Sequence, residues 1–116
     1  MRYVILRHEC PPNAARPSHW DVMFEHDGKL RTWAVELSPD TPTEQDATPL
    51  ADHRLEYLTY EGEISGGRGH VTRWDEGEYV TLRDDVSGFV VKVTGRRMRG
   101  TIEITNGRFR FARSQH

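Results

Sequence analysis

The sequence predicts an all-β fold, an antiparallel sandwich or closed barrel of eight or nine short strands with no more than minor helical turns. Strand-like segments recur along the 116 residues, turn-forming residues separate them, and no long helical periodicity interrupts the series. Short strands at this spacing are typical of both architectures. Because the length suits one core rather than two, we interpret residues 1–116 as a single domain.

The first three strands are the clearest. Residues 2–7 predict a buried strand, after which several prolines disfavour regular structure until His19. Residues 18–26 and 30–37 flank an Asp-Gly pair, which is a strong hairpin signal. An irregular loop is therefore expected in front of a hairpin.

The remaining elements follow the same logic. Residues 38–52 contain three prolines among threonine and aspartate, so we expect an irregular surface segment with at most a helical turn over residues 43–46. Further strands are expected between Gly- and Asp-rich turn signals. They span residues 54–60, 70–74, 78–83, 89–94, 98–104 and 108–112.

Composition excludes some settings. The formal net charge of -2 gives no global attraction to nucleic acid, so a polyanion would have to meet a local patch. The single cysteine cannot form an intrachain disulfide, and we find neither a signal peptide nor a stretch long enough for a membrane helix. We expect a cytoplasmic monomer with no membrane partner.

The most informative segment runs from His19 to Glu25. Side chains alternate in a strand, so His19 and Asp21 share one face while apolar residues occupy the other. With His8 upstream, they offer two imidazoles and a carboxylate, which Zn²⁺ or Mn²⁺ accepts with positions left for water or substrate. A structural imidazole–carboxylate pair is the alternative.

Cys10 is a weaker candidate. It lies two residues after His8, which allows ligation, but its setting before Pro11 gives no reason to prefer it as a ligand. We interpret it as an incidental thiol.

A second cluster is formed by Asp52-His53-Arg54-Leu55-Glu56-Tyr57. If this segment is a strand, His53 and Tyr57 share a face, and both could donate hydrogen bonds to a phosphate or assist a leaving oxygen. Taken alone, His53 is a turn residue and Tyr57 an aromatic residue of the sheet. The glycine-rich turn Gly66-Gly67-Arg68-Gly69 would let backbone amides approach an anion, which is a weak signal by itself.

At these residues the chain resembles the phosphoesterase domain of bacterial ligase D, a DNA-end-healing module that also occurs as a freestanding protein. The shared motifs keep the family's order from His8 to about Gly100. They are His8, His19-Trp20-Asp21-Val22-Met23-Phe24-Glu25, Trp33-Ala34-Val35, Asp52-His53-Arg54-Leu55-Glu56-Tyr57, Tyr60-Glu61-Gly62, and Gly66-Gly67-Arg68-Gly69 leading to Trp74-Asp75.

The resemblance implies a small closed antiparallel β-barrel of about eight strands. It implies a manganese-dependent activity that trims a 3′-terminal ribonucleoside and removes the 3′-phosphate, with Zn²⁺ or Co²⁺ as alternative ions. His8, His19 and Asp21 would hold the metal, while His53 and Tyr57 would contact the scissile phosphate. The implied partners are primer–template 3′ ends and a DNA ligase or polymerase.

Two departures from the family pattern concern phosphate-binding arginines. Their positions hold Met23 and Gln45 in this chain, and arginine is the residue that binds phosphate bidentately. We therefore keep a catalytically impaired nucleic-acid-end or phosphate-binding module as an alternative function, and a zinc hydrolase of small phosphate esters as a weaker one. Arg16, Arg68 or Arg73 could supply the missing cation.

A third departure is the connection between His8 and His19, which is longer and richer in proline than the family usually has.

Overall fold

The computed structural model describes residues 1–114 and contains ten strands joined mostly by tight turns. One 3₁₀ helix, Leu55–Leu58, lies between the fifth and sixth strands. The strands are β1 (Arg2–Glu9), β2 (His19–His26), β3 (Lys29–Val35), β4 (Gln45–Asp46), β5 (Thr48–His53), β6 (Gly62–Glu63), β7 (His70–Asp85), β8 (Gly88–Gly95), β9 (Arg99–Thr105) and β10 (Arg108–Arg113).

All ten strands belong to one antiparallel sheet that is nearly closed into a barrel. Its order is β4-β10-β9-β8-β7-β1-β2-β3-β5, with β6 paired to β7. The two ends of this order, β4 and β5, are separated in the chain only by Ala47. One short segment therefore pairs with β10 and then with β3, which joins the edges of the sheet. The predicted all-β barrel is confirmed.

Apolar residues fill two clusters on opposite faces of β1 and β2. Inside the barrel, Phe24 packs edge-to-face against Tyr79 and Phe89, with ring centroids 5.2 Å apart in both pairs. On the outer face, Met23 belongs to a second cluster that the 3₁₀ helix covers with Leu58. Because β1 and β2 are buried on both faces, a shift of one residue in their pairing would exchange the two side-chain sets.

Three sequence predictions about the middle of the chain are wrong. Residues 54–60 are not a strand but contain the 3₁₀ helix. The segment over residues 38–52 is not irregular throughout, because it holds β4 and β5, and residues 43–46 form a bend followed by β4 rather than a helical turn.

The predicted strands 70–74 and 78–83 are a single strand, β7, which continues through Asp75-Glu76-Gly77. The residue types of this segment are typical of a turn, but Gly77 allows a close approach between strands and Asp75 accepts buried hydrogen bonds. Gly77 lies so close to β8 that a Cβ there would overlap the Thr94 carbonyl oxygen. The pairing of β7 with β1 is irregular here, with a register shift between Ile5 and Leu6 on β1.

Asp75 is a buried carboxylate that links three parts of the barrel. It accepts hydrogen bonds from the Tyr3 hydroxyl at 2.6 Å and from the backbone N–H groups of Arg97 and Met98 at 2.7 and 3.0 Å. Burial and the hydrogen bond to Asp75 raise the pKa of Tyr3. A buried charge is tolerated when its lone pairs are satisfied in this way.

The described residues contain no helix of the length and apolarity that crossing a bilayer requires.

We expect Tyr3→Phe to lower the free energy of unfolding by about 1.5–3 kcal/mol, since it removes a donor from a buried charged acceptor. Tyr79→Phe is the matched control, because Tyr79 is equally buried but donates to the neutral carbonyl of Glu25 at 2.6 Å. That variant should lose about 0.5–1.5 kcal/mol. Urea unfolding measures both, and equal losses would contradict the role assigned to Asp75.

Candidate metal centre

The pairing of β1 with β2 brings the two imidazoles together. His8 lies directly opposite His19, and Leu6 lies opposite Asp21, so all these side chains share the outer face of the sheet. The His8 and His19 ring centroids are 4.9 Å apart, and His19 Nε2 lies 2.9 Å from Asp21 Oδ1. The structure thus places all three sequence-predicted metal ligands side by side.

Two backbone carbonyls fix which ring nitrogens carry protons. His19 Nδ1 is 2.8 Å from the Pro17 carbonyl, and His8 Nε2 is 2.9 Å from the Arg68 carbonyl. A carbonyl only accepts hydrogen bonds, so these nitrogens must be the donors. The other two, His19 Nε2 and His8 Nδ1, face the Asp21 carboxylate at 2.9 and 3.5 Å.

Three hydrogen-bond acceptors therefore face one another, and a cation between them, either a proton or a metal ion, would remove their repulsion. In neutral imidazoles the inward nitrogens carry lone pairs, and Asp21 is an almost fully buried carboxylate. Burial raises the pKa of Asp21, but when the imidazoles are protonated their inward N–H groups donate to the carboxylate, and these hydrogen bonds from His19 and His8 bring that pKa to about 2. The same contact with Asp21 raises the pKa of His8.

The convergence fits a divalent metal ion. Two imidazole nitrogens and a carboxylate oxygen are accepted donors for Zn²⁺, Mn²⁺ or Co²⁺. The carbonyls of Pro17 and Arg68 provide the outer hydrogen bonds that orient metal-binding histidines.

Cys10 adds a donor that the sequence alone gave no reason to prefer. Its Sγ and the ring nitrogens of His8 and His19 lie within 4.8 Å of one another. Its backbone N–H donates to Ser18 Oγ at 2.9 Å, which ties together the two ends of the loop between β1 and β2. The available signal was its spacing of two residues from His8, which places both on one side of an extended segment.

The glycine-rich turn packs against this centre. Gly69 has a φ of 97°, and a Cβ there would overlap the Glu9 carbonyl oxygen at the end of β1. Only glycine allows the turn to approach so closely. This approach brings the carbonyl of Arg68 to His8.

His53 and Tyr57 do not lie on one strand, so the prediction that strand alternation places them on the same face is wrong. His53 ends β5 and Tyr57 lies on the 3₁₀ helix, yet the turn between these elements keeps their rings 5.7 Å apart in an edge-to-face contact. His53 Nδ1 donates to the Ala51 carbonyl at 3.0 Å. Its Nε2 is therefore the nitrogen available to a ligand.

Two adjoining cavities, of about 390 and 420 Å³, meet at His8, Asp21, His53 and Arg68, and we call them together the cleft. Tyr57 lines the first cavity. The second is also lined by Cys10, Arg16 and His19. The cleft thus joins the metal-ligating set to the second cluster of the sequence.

Of the three candidate phosphate-binding arginines, Arg16 and Arg68 line the cleft. The Arg68 Nε donates to the Ser65 carbonyl at 2.8 Å, which holds the side chain over the turn. Arg73 is directed elsewhere: it pairs with Glu61 and Glu76 at 3.6 and 3.2 Å and lines a separate cavity.

The two positions where the family carries arginine serve the fold in this chain. Met23 is fully buried in the outer cluster. The Gln45 amide accepts from the Leu37 N–H at 2.8 Å and donates to the Leu37 carbonyl at 2.9 Å. Neither side chain supplies a cation to the cleft.

Comparison with known proteins identifies the family to which the chain belongs. A family model described as the DNA ligase D 3′-phosphoesterase domain matches residues 12–110. The "Multifunctional non-homologous end joining DNA repair protein LigD" of Mycobacterium tuberculosis is 37% identical over 90% of this chain, and its Pseudomonas aeruginosa counterpart is 34% identical over 76%. The matches cover only 15% and 10% of those proteins, so the chain spans a small part of their length.

We expect His19→Ala to abolish retention of a divalent ion, because it removes one ligand and leaves Asp21 buried beside a gap. Tyr57→Phe is the control, since it changes only a hydroxyl at the other end of the cleft and should keep metal affinity within about twofold. Equilibrium dialysis with metal analysis measures both, with circular dichroism to verify folding. Equal metal loss in the two variants would contradict the assignment.

Proposed function

We propose, from the fact that the chain belongs to the DNA ligase D 3′-phosphoesterase domain family, that it is a metal-dependent phosphoesterase of nucleic-acid 3′ ends. It would remove a 3′-terminal ribonucleoside and a 3′-phosphate in the cytoplasm and leave a 3′-hydroxyl for a DNA ligase or polymerase. The observation that carries this proposal is the convergence of His8, His19 and Asp21 in one cleft with His53 and Tyr57.

His8, His19 and Asp21 are the proposed metal ligands, and Mn²⁺ is the ion that the resemblance implies. A divalent ion at this position supplies Lewis acidity toward a phosphoryl oxygen and favours ionisation of a water molecule. The carbonyls of Pro17 and Arg68 hold the two imidazoles so that their basic nitrogens stay directed at the ion.

His53 and Tyr57 are assigned to the phosphate. With its Nδ1 proton held by the Ala51 carbonyl, a protonated His53 can donate from Nε2 to the leaving oxygen as a general acid. Water would attack phosphorus as the bond to the nucleotide 3′-oxygen breaks; that oxygen takes the proton from His53, and one proton of the water stays with the released phosphate. The Tyr57 hydroxyl can donate a hydrogen bond to a non-bridging oxygen and so fix the phosphate's orientation.

Arg16 and Arg68 are the proposed source of positive charge for the phosphate. Both line the cavity that holds the metal-ligating histidines. Guanidinium groups aimed at developing charge stabilise phosphoryl-transfer transition states. They would act from the wall of the cleft, whereas Met23 is buried in the outer cluster and does not line either cavity.

A second candidate function is a module that binds nucleic-acid ends or phosphate without turnover. The use of Met23 and Gln45 for packing favours it, since the centre is then left with fewer fixed cations than the family pattern provides.

One assay distinguishes the two functions. Purified protein is incubated with a duplex primer that ends in one ribonucleotide or in a 3′-phosphate, with Mn²⁺ or with a chelator. We expect both ends to be converted to a 3′-hydroxyl only with metal. A primer that already ends in a deoxyribonucleotide 3′-hydroxyl is the control. Bound metal without conversion of either substrate would overturn the enzyme proposal and favour the binding module.

The arginine assignment predicts a contrast between three variants. Arg16→Ala and Arg68→Ala should lower kcat/KM on the 3′-phosphate by about 10- to 100-fold, the equivalent of losing a charged hydrogen bond. Arg73→Ala, which removes a partly exposed ion-paired cation outside the cleft, should change it by less than about fivefold. Metal affinity is measured in parallel, because a displaced glycine-rich turn would also weaken metal binding, whereas loss of a phosphate contact alone would not. A larger loss of kcat/KM in Arg73→Ala than in the other two variants would refute the assignment.

A further inference from the structure

We propose that Cys10 is a fourth ligand of the metal centre and that its thiolate makes the site select Zn²⁺ or Co²⁺ over Mn²⁺. The inference rests on the proposed function, because it adds a ligand to the same centre. It changes the expected cofactor of this particular chain.

Three of the four proposed donors already form one group. Cys10 Sγ and one ring nitrogen each of His8 and His19 lie within 4.8 Å of one another. Donors on a tetrahedral zinc ion lie about 3.3–3.8 Å apart, given bonds of about 2.0–2.3 Å, so an ion would draw these three together by about 1 Å. Asp21 lies beside the group, with Oδ1 2.9 Å from His19 Nε2 and Oδ2 3.5 Å from His8 Nδ1.

The backbone around Cys10 is held on two sides. Its N–H donates to Ser18 Oγ across the base of the loop. On the other side, a Cβ added to Gly69 would lie 3.2 Å from the Cys10 Cα, so the glycine-rich turn packs directly against this residue. The thiol is thus positioned by the same turn whose carbonyl orients His8.

Exposure gives an ion a path to the centre. Cys10 is partly exposed where it lines the cleft with Arg16 and His19, whereas Asp21 and His19 are buried. A donor at the open side of a buried donor set can complete coordination after the ion enters.

The donor set determines which ions are favoured. Imidazole and carboxylate donors accept Mn²⁺, but a thiolate is a soft donor that favours zinc and other borderline ions. Two imidazoles, one thiolate and one carboxylate give the four-coordinate shell that Zn²⁺ prefers, and zinc can take a fifth ligand. Four protein donors are therefore compatible with binding of a phosphate.

Cobalt titration tests the assignment without any activity measurement. The chain contains one cysteine, so a near-ultraviolet thiolate-to-cobalt charge-transfer band can come only from Cys10. We expect wild-type protein to show this band on addition of Co²⁺. Cys10→Ser should lose it while it keeps the visible d–d bands of bound Co²⁺, and His19→Ala should lose both.

Competition dialysis gives the second measurement. Cys10→Ser should reduce the preference for Zn²⁺ over Mn²⁺ by at least about tenfold, with its Mn²⁺ affinity little changed. Cobalt binding that requires His19 but produces no charge-transfer band would overturn the role of Cys10 and leave the proposed function intact. Failure of the wild-type protein to bind Co²⁺, Zn²⁺ or Mn²⁺ would overturn both.

Discussion

The candidate centre depends on one electrostatic constraint: a buried carboxylate faces two imidazole nitrogens whose protons are held by backbone carbonyls. The carbonyl that binds His19 belongs to the loop before β2, and the one that binds His8 belongs to the glycine-rich turn before β7. Both segments must therefore be folded before the acceptors around Asp21 can converge. A cation between these groups relieves their repulsion, so ion binding and the ordering of the two segments are thermodynamically linked. The free energy of binding a proposed ion would then contribute to the stability of that side of the protein.

The barrel supports this centre on its outer surface rather than in its interior. Aromatic packing fills the interior, and the 3₁₀ helix covers a second apolar cluster on the outer face of β1, β2 and β3. A slip of one residue in the pairing of β1 with β2 would place His8 on the opposite face of the sheet from His19 and Asp21 and so separate the three groups. The segment that closes the barrel also ends in His53, which pairs with Leu30 on β3. Closure of the sheet and placement of His53 therefore depend on the same few residues.

The sequence pattern predicted the position of a side chain correctly where that position depends only on the strand that carries it. Alternation alone placed His19 and Asp21 on one face, and the Asp-Gly turn predicted the hairpin that carries them. The same reasoning failed at Tyr57. The alternation of a strand does not apply there, because Tyr57 lies in a 3₁₀ helix after β5, and the turn into this helix brings its ring against His53. It failed again at Asp75, whose turn-like neighbourhood is continuous strand once its carboxylate is satisfied in the interior. Cys10 could not be assigned, since its proximity to His19 depends on how a proline-rich loop folds back.

The burial of Met23 and the loop between β1 and β2 are best considered together. Met23 is fully buried against apolar neighbours, and a guanidinium in that environment would need a partner or cost several kcal/mol. Met23 therefore serves packing and supplies no charge, so positive charge for a phosphate has to come from residues that line the cavity. The loop between β1 and β2 carries Arg16 into the cavity that Cys10 and Arg68 also line. The loop thus brings into one cavity both Arg16 and Cys10, the side chains proposed above as a cation for the phosphate and a ligand for the ion.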